Sequence, residues 1–515
     1  MPLRNSERAQ IIEVIESNAA LPQRIREVVL DKEIPPFDKR REIATLIENE
    51  LLSRGSFLRT SDERGFFFSN EQRRIFDLEQ AEFGRSVTEL SGLSSTESFF
   101  KFAIDVLQAK VLTRAPLVDV ETFAHFDLKS GFLYVSDGAG GIWMRERGGD
   151  WKEAHNGDGG VFFLTEREAT PFIPEFRPDR AALQWFLECF LLANGQISAD
   201  DARVLLSIYI LHQYFPSLRK TRVIPAFLGP QGSGKTSAER LVGRLLIGPE
   251  FEVTGIRRDK EDAFVAAVSN RVVLGLDNAD SRIDWLPDAL ALYATGQRFR
   301  LRRLYTTNEE VSYSPRAILL LSSRDPHFNR PDVSERLLPL YFERPENYAP
   351  EHSIFEDLSM RRGAILGDIL QWVGQIADLL AQTEVRSLPF RMADFASFGA
   401  RVFEPAGKLS EWLALLGKVE SAQASFAAEG DGVLAALRLL IDREGLIEDV
   451  PVGDLYKETK AIADQESFPF PRNAQGFGRY LSTHKRVMEL ELGVAIIEVR
   501  HGGGIRAVTF KRRKP

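Results

Sequence analysis

Val223-Ile224-Pro225-Ala226-Phe227-Leu228-Gly229-Pro230-Gln231-Gly232-Ser233-Gly234-Lys235-Thr236-Ser237 is the stretch on which the fold turns. An apolar run of strand length ends in a Gly-rich turn, and a helix-forming run, Ala238 to Leu246, follows at once. Gly229 to Thr236 fits G-x-x-x-x-G-K-[ST], the P-loop pattern. Its glycines let backbone N–H groups converge on an anion at the positive end of the helix that starts there. Gly229, Pro230, Gln231, Gly232, Ser233, Gly234, Lys235, Thr236 and Ser237 are therefore the expected phosphate cradle, for ATP. Lys235 is expected to reach the outer phosphates and Thr236 to ligate Mg²⁺. A Gly-rich surface turn with a stray lysine is the bland alternative, and the strand before and helix after argue against it.

Working outward, Arg271 to Asp280 reads as a hydrophobic strand ending in an acid, the Walker B arrangement, with Asp277 at the metal. Asn278 stands where many ATPases carry a water-orienting Glu, and Asp280 is one possible substitute. Thr295 to Glu310 holds Arg298, Arg300, Arg302 and Arg303 between apolar residues. Period-two alternation puts Arg298, Arg300 and Arg302 on one strand face and Phe299 and Leu301 on the other. Such a hairpin suits phosphate contact in a pore; a charged edge strand that discourages aggregation is the alternative. A third reading has Arg302 or Arg303 reaching a neighbouring subunit's nucleotide. Ala317 to Leu321 reads as the next core strand, with Ser322 at its tip in the sensor position. Arg330 and Arg336, before the strand Leu337 to Phe342, are candidates for an arginine finger given in trans, or for surface ion pairs.

The chain has 515 residues, 44% hydrophobic and 27% charged, with a formal net charge of −8. That composition is ordinary for a globular protein and excludes a global basic field, so nucleic-acid contact must use local patches. One cysteine, Cys189, excludes an intrachain disulfide. The polar start Met1 to Glu7 lacks a signal-peptide pattern and no apolar run has the length of a membrane span. The cytoplasm is the expected compartment, with no membrane partner.

Residues 1–176 read as an α+β module with no recognisable catalytic set: helices to about 54, a hairpin of Gly55 to Thr60 with Gly65 to Ser69, a helix near 96–111, and short strands at Phe132 to Ser136 and Gly141 to Arg145. The glycines of 138–160 read as turns, since no Lys and helix follow them. Residues 177–345 read as the ATPase domain, opening with helices near 179–193 and 198–214, and 346–430 as a helical lid and connector. Residues 431–515 show helices at Val433 to Asp442, Val452 to Gln465 and Asn473 to Val487, then strands Val494 to Val499 and Ile505 to Phe510 joined at Gly502 to Gly504. That is a winged helix-turn-helix pattern. Arg472, Arg479, His484, Lys485, Arg486, Arg500, His501 and Arg506 make it locally basic, as does the tail Lys511 to Lys514, which fits duplex DNA. A winged helix used for protein contacts is the alternative. The histidines are too scattered for a metal site.

The order P-loop, Asp277-Asn278, Thr295-Gly296 with Arg302-Arg303-Leu304-Tyr305, a strand, and Arg330-Pro331-Asp332 with Arg336 resembles the AAA+-like ATPases of phages and integrated elements. These are relatives of the superfamily three helicases, including the poxvirus-type helicase-primase ATPase. The resemblance covers roughly 180–345 and, more loosely, the flanks and the C-terminal domain. It implies an α/β AAA+-like core in a homo-oligomeric, hexameric ring that moves on single-stranded DNA in replication of a mobile element or phage. It also implies Mg-ATP on Lys235, Thr236 and Asp277, an Arg330 or Arg336 finger, and a DNA-touching hairpin at Arg300 to Arg303. Asn278 and Ser322, where relatives often carry an acid and an Asn, are departures that bear on turnover. An ATP-binding switch in a defence or regulatory complex, without unwinding, is the second reading. A protein-remodelling ATPase is the third, against which the basic C-terminal region stands.

Overall fold

The computed structural model describes residues 20–257, 260–279, 283–302, 310–323, 330–348, 350–428, 431–445, 447–466, 468–501 and 506–512, with backbone alone at 301, 302, 310, 311, 426 and 427. The chain forms two compact units. One gathers Met1–Phe123, Ser136–Trp143 and Lys152–Arg167, the other Ala124–Val135, Met144–Trp151 and Glu168–Pro515.

In the first unit, helices Leu21–Leu30, Pro36–Arg54, Ala81–Ser91 and Ser98–Arg114 accompany an antiparallel sheet of Gly55–Arg59, Gly65–Ser69 and Arg74–Asp77. The expected hairpin forms in the register Gly55 to Ser69 through Arg59 to Gly65. Phe66, Phe67 and Phe68 are all buried although side chains alternate across a sheet, because both faces are covered. Phe67 packs into the helical cluster with Ile47 and Leu107, while Phe66 and Phe68 join a second cluster with Leu58 and Val120. Farther along, Gly138, Gly140, Gly148, Gly157, Gly159 and Gly160 all take positive φ, as turn glycines do.

The second unit is built on a five-stranded parallel sheet. Its spatial order is Thr254–Gly255, Val273–Asp277, Ile318–Ser323, Ile224–Leu228, Leu337–Tyr341. Parallel sheets are covered on both faces, so their strands read as continuous apolar runs rather than alternating ones. Every residue of Ile224–Leu228 and of Ile318–Ser323 is accordingly buried. Pro225 cannot donate to a ladder, and pairing of its strand with Ile318–Ser323 begins only beyond it, at Ala226 opposite Leu321. The strand tips bearing Leu228, Asp277 and Ser323 emerge on one edge, where open α/β sheets place ligands.

Helix Lys235–Leu246 follows the strand Ile224–Leu228 after the glycine-rich loop. It buries Ala238, Leu241, Val242, Leu245 and Leu246, the three-to-four spacing of an amphipathic helix, and leaves Arg240 and Arg244 on its outer side. Its last carbonyls are held by the buried Arg362 of helix Glu351–Leu380. That guanidinium donates to Leu245 O (2.9 Å) and Leu246 O (3.3 Å), and also to Thr170 O and Pro171 O. A cation at this end also suits the helix dipole.

Helices Ala393–Phe403 and Leu409–Ala428 follow, then Gly432–Glu444, Val452–Gln465, Ala474–Thr483 and Lys485–Glu491. The single helix expected over Asn473 to Val487 is two, because His484 leaves helical geometry (φ −103°, ψ 13°). Strands Val450–Pro451, Arg506–Arg512 and Val494–Arg500 close this end as a small antiparallel sheet. Among the described residues no helix is long and apolar enough to cross a membrane.

Arg362→Ala strips four carbonyls of a charged donor inside the fold. It is expected to destabilise the second unit by about 3 kcal/mol, read by denaturant unfolding, with Arg362→Lys recovering part of the loss.

Candidate functional site

The loop between Leu228 and Lys235 is shaped by glycine. Gly229, Gly232 and Gly234 have φ of 152°, 79° and 83°, where side chains are strained. A Cβ at Gly229 would lie 2.4 Å from Phe342 O and 3.0 Å from Ser233 Oγ, so the loop closes on its own strand neighbour. Ser233 is fully buried and its Oγ has no hydrogen-bond partner. Lys235 arches back over the loop and donates to Gly229 O and Pro230 O, each at 2.8 Å. Outside, Arg344 Nε donates to Gln231 O at 2.6 Å.

Three separate elements meet at one carboxylate oxygen. Thr236 Oγ1, in the first turn of the helix, donates to Asp277 Oδ1 at 2.9 Å. Ser322 Oγ, near the tip of the neighbouring strand, donates to the same oxygen at 2.9 Å. Ser322 Oγ also accepts the Asn278 N–H at 3.2 Å, and Ser322 O accepts the Ala279 N–H at 2.8 Å. Asn278 itself holds φ 55°, a left-handed conformation that Asn tolerates better than most residues and that clusters at functional sites.

Above this junction lies a cleft of about 630 Å³, lined by the loop, Thr236, Ser237, Asp277, Asn278 and Ser322. Two further lining residues, Arg240 and Glu351, were not evident in the sequence. Glu351 opens the 30-residue helix Glu351–Leu380 and accepts from Ser237 Oγ (2.8 Å) and Arg240 (3.1 Å). Beneath the junction, Glu239 is fully buried. Burial, and then the Asp277 charge, hold its carboxyl well above the usual carboxylate range, and Ser322 partly offsets them. Neither Glu239 oxygen completes a hydrogen bond of normal geometry.

The donor set fits a nucleotide phosphate chain with a magnesium ion. The loop offers a glycine-lined cradle with an unpartnered buried hydroxyl, and Thr236 with Asp277 offers a hydroxyl and a carboxylate side by side. Mg²⁺ takes one or two protein oxygens and completes its shell with phosphates and water. The described residues contain no group of three or more His, Cys, Asp or Glu side chains arranged to hold a metal.

The remaining residues singled out in the sequence lie elsewhere. Strand Phe299–Arg302 pairs with Glu310–Tyr313; Phe299 is buried while Arg298 and Arg300 are exposed, as alternation requires. The Arg302 side chain, Arg303 and Asp280 lie outside the described residues. Arg330 is held between Asp288 (2.6 Å) and Asp332 (2.7 Å), and these hydrogen bonds raise its basicity further. Arg336 is half-buried and donates to Ala291 O at 3.4 Å; burial and then Arg391 lower its basicity. Toward the C-terminus, Arg506 is spent on Gly478 O, Ser482 Oγ and Glu498, Arg486 pairs with Glu420, and Lys485 lies 3.9 Å from Glu489. Arg472, Arg479 and Arg500 are exposed. Gly502 to Gly504, Arg513 and Lys514 lie outside the described residues.

Residues 196–417, under half of the chain, match the family model described as an actinomycete integrative conjugative element replication protein. That stretch contains the loop, Asp277, Ser322, Arg330 and Arg336. No curated protein matches. Among solved structures, the apo C-terminal region of NrS-1 is similar at TM-score 0.38 and 12% identity, over 90% of this chain and 98% of that one. A structure titled "SCCmec type IV Cch - active helicase" is similar at TM-score 0.45 and 11% identity, over 89% of this chain and 92% of that one.

Asn278→Gly is expected to leave stability unchanged or slightly raised, whereas Asn278→Val is expected to cost on the order of 1–2 kcal/mol. Melting of the two variants beside the wild type checks this.

Proposed function

We propose that the chain is an ATP-dependent DNA motor, a helicase or translocase acting in replication of a mobile element or phage. The observation that carries the reading is the junction of Thr236 and Asp277 under the glycine-rich loop. On this reading the loop is a P-loop, Asp277 the Walker B acid and Ser322 the sensor side chain. Lys235 exchanges its two loop carbonyls for phosphate oxygens, and Thr236 with Asp277 holds the magnesium. When bound, that ion neutralises charge building on the phosphates. The match to a replication-protein family over the same stretch supports the biological setting.

Residues 177–345 would then be the ATPase domain, 346–430 its lid and connector, 431–515 a winged helix on duplex DNA, and 1–176 an α+β module of unassigned role. Hexameric rings would carry the hairpin of Arg298, Arg300, Arg302 and Arg303 on a single strand. An arginine finger in trans would require Arg330 to leave both of its acids, whereas among the described residues Arg336 makes no such ion pair.

A second reading, an ATP-binding switch that does not unwind, is favoured by Asn278. This amide cannot take up a proton, and it lines the cleft beside Asp277.

ATP hydrolysis with and without single-stranded DNA tests the motor. Lys235→Ala is expected to cut turnover on the order of a hundredfold or more. Arg300→Ala with Arg302→Ala is expected to keep basal turnover and lose its stimulation by DNA. Wild-type protein that binds ATP but barely turns it over would favour the switch. Separately, Arg472→Ala with Arg479→Ala is expected to weaken duplex binding and lower the slope of log affinity against log salt by about two. An unchanged slope would remove this face from the DNA interface.

A further inference from the structure

Glu351 brings a second acid to a cleft suited to phosphates. It lines that cleft from the first turn of helix Glu351–Leu380, beside Ser237 and Arg240. The two acids reach the phosphate-loop helix from different directions. Thr236 Oγ1 donates to Asp277, the next residue's Ser237 Oγ donates to Glu351, and neighbouring helical residues point about 100° apart. A magnesium ion would lie between Asp277 and the phosphates. A carboxylate set directly against a phosphate chain is repelled by it, so Glu351 suits a part of the ligand that carries no phosphate.

The carboxylate is held in place and only half used. Ser237 Oγ donates to Glu351 Oε1 at 2.8 Å, and Arg240 Nη1 donates to the same oxygen at 3.1 Å. Ser237 and Arg240 are three apart on helix Lys235–Leu246 and share a face. Arg240 is itself steadied by Glu252, whose Oε2 accepts its Nε at 2.9 Å. The strap leading to Glu351 is anchored as well. Arg344 Nε donates to Gln231 O, and the Tyr348 hydroxyl lies 3.1 Å from where a Cβ on Gly232 would stand. Glu351 is exposed, and among the described residues nothing donates to its Oε2. One acceptor oxygen thus stands at the cleft, positioned by its neighbours and without a donor from the protein.

The fully ionised phosphates of a nucleotide offer no donor; its sugar hydroxyls and base amino groups do. Ser237 directly follows Thr236, and the group that directly follows the phosphates along a nucleotide is the sugar. We propose that Glu351 recognises the ribose of the bound nucleotide, Oε2 accepting from the sugar hydroxyls while Oε1 keeps its two bonds to the phosphate-loop helix. The substrate class of the site is then ribonucleotides in preference to deoxy sugars. This rests on reading the loop and Thr236 as the phosphate and magnesium site. Glu351 touches the sugar and not the reacting atoms, so it governs specificity and not the chemical step. Water can solvate the exposed carboxylate when the hydroxyls are missing, so the preference is smaller than a buried acceptor would give.

The test is calorimetric titration of the full chain, in Mg²⁺, with ADP, 2′,3′-dideoxy-ADP and inorganic pyrophosphate, for wild type, Glu351→Ala and Glu351→Gln, with melting as the control for folding. Wild type is expected to bind ADP about tenfold more tightly than the dideoxy compound. Glu351→Ala is expected to bind the two equally, with pyrophosphate affinity not weakened. Glu351→Gln keeps the shape with a neutral acceptor and is expected to retain a preference of about threefold, which keeps the proposal open to refutation if Glu351→Ala fails to fold. Equal wild-type affinity for ADP and dideoxy-ADP, or a full wild-type preference in either variant, would overturn the proposal. So would equal weakening of all three ligands in Glu351→Ala, the mark of a merely structural ion pair. Wild-type protein that binds neither ADP nor pyrophosphate would overturn the nucleotide reading and this inference together, a result distinct from the others.

Discussion

Asp277 Oδ1 is the atom at which three elements of the second unit are tied together. It receives one hydroxyl from the helix that follows the glycine-rich loop and another from the neighbouring strand. Thr236, Asp277 and Ser322 are far apart in sequence, and only the parallel sheet order brings them together. The Ile318–Ser323 strand lies between the strand that feeds the loop and the strand that ends in Asp277. A slip of one residue in either register would turn Asp277 or Ser322 to the opposite face and dissolve the junction. The buried apolar strands are therefore the frame that makes a polar contact reproducible.

The surrounding charges show a second constraint. Several basic side chains that would suit nucleic acid are consumed inside the fold. Arg362 ties helix ends and loop carbonyls, Arg506 braces the C-terminal sheet against helix Ala474–Thr483, and Arg330 is clamped by two acids. Exposed arginines remain at Arg300 on its strand and at Arg472, Arg479 and Arg500 near the C-terminus. In a chain of net charge −8 such local groups carry whatever attraction to phosphate there is.

Much of this was legible in the sequence because it is written locally. The apolar run, the three glycines, Lys235 and the helix that follows specify strand, turn and helix within about fifteen residues. Apolar runs ending in Asp277 and Ser322 announced two more strands, and helix Val452–Gln465 has the expected bounds. The sheet order was not legible, since strand-to-strand pairing depends on long-range packing. Glu351 and Arg240 were missed for a related reason. A glutamate at a helix start and an arginine within a helix read as ordinary surface residues until the fold brings them 3.1 Å apart. Glu239 is an acid on an apolar helical face, and only the fold shows that it is fully buried with neither oxygen hydrogen-bonded. The break at His484 had no glycine or proline to mark it.

The most direct test of the account is calorimetric titration of the full chain with Mg²⁺ and a non-hydrolysable ATP analogue, set beside adenosine. The account predicts one saturable site per chain that requires the phosphate chain, loses affinity without Mg²⁺, and is lost in Lys235→Ala. Absence of saturable binding, or binding of adenosine as tight as that of the analogue, would contradict it.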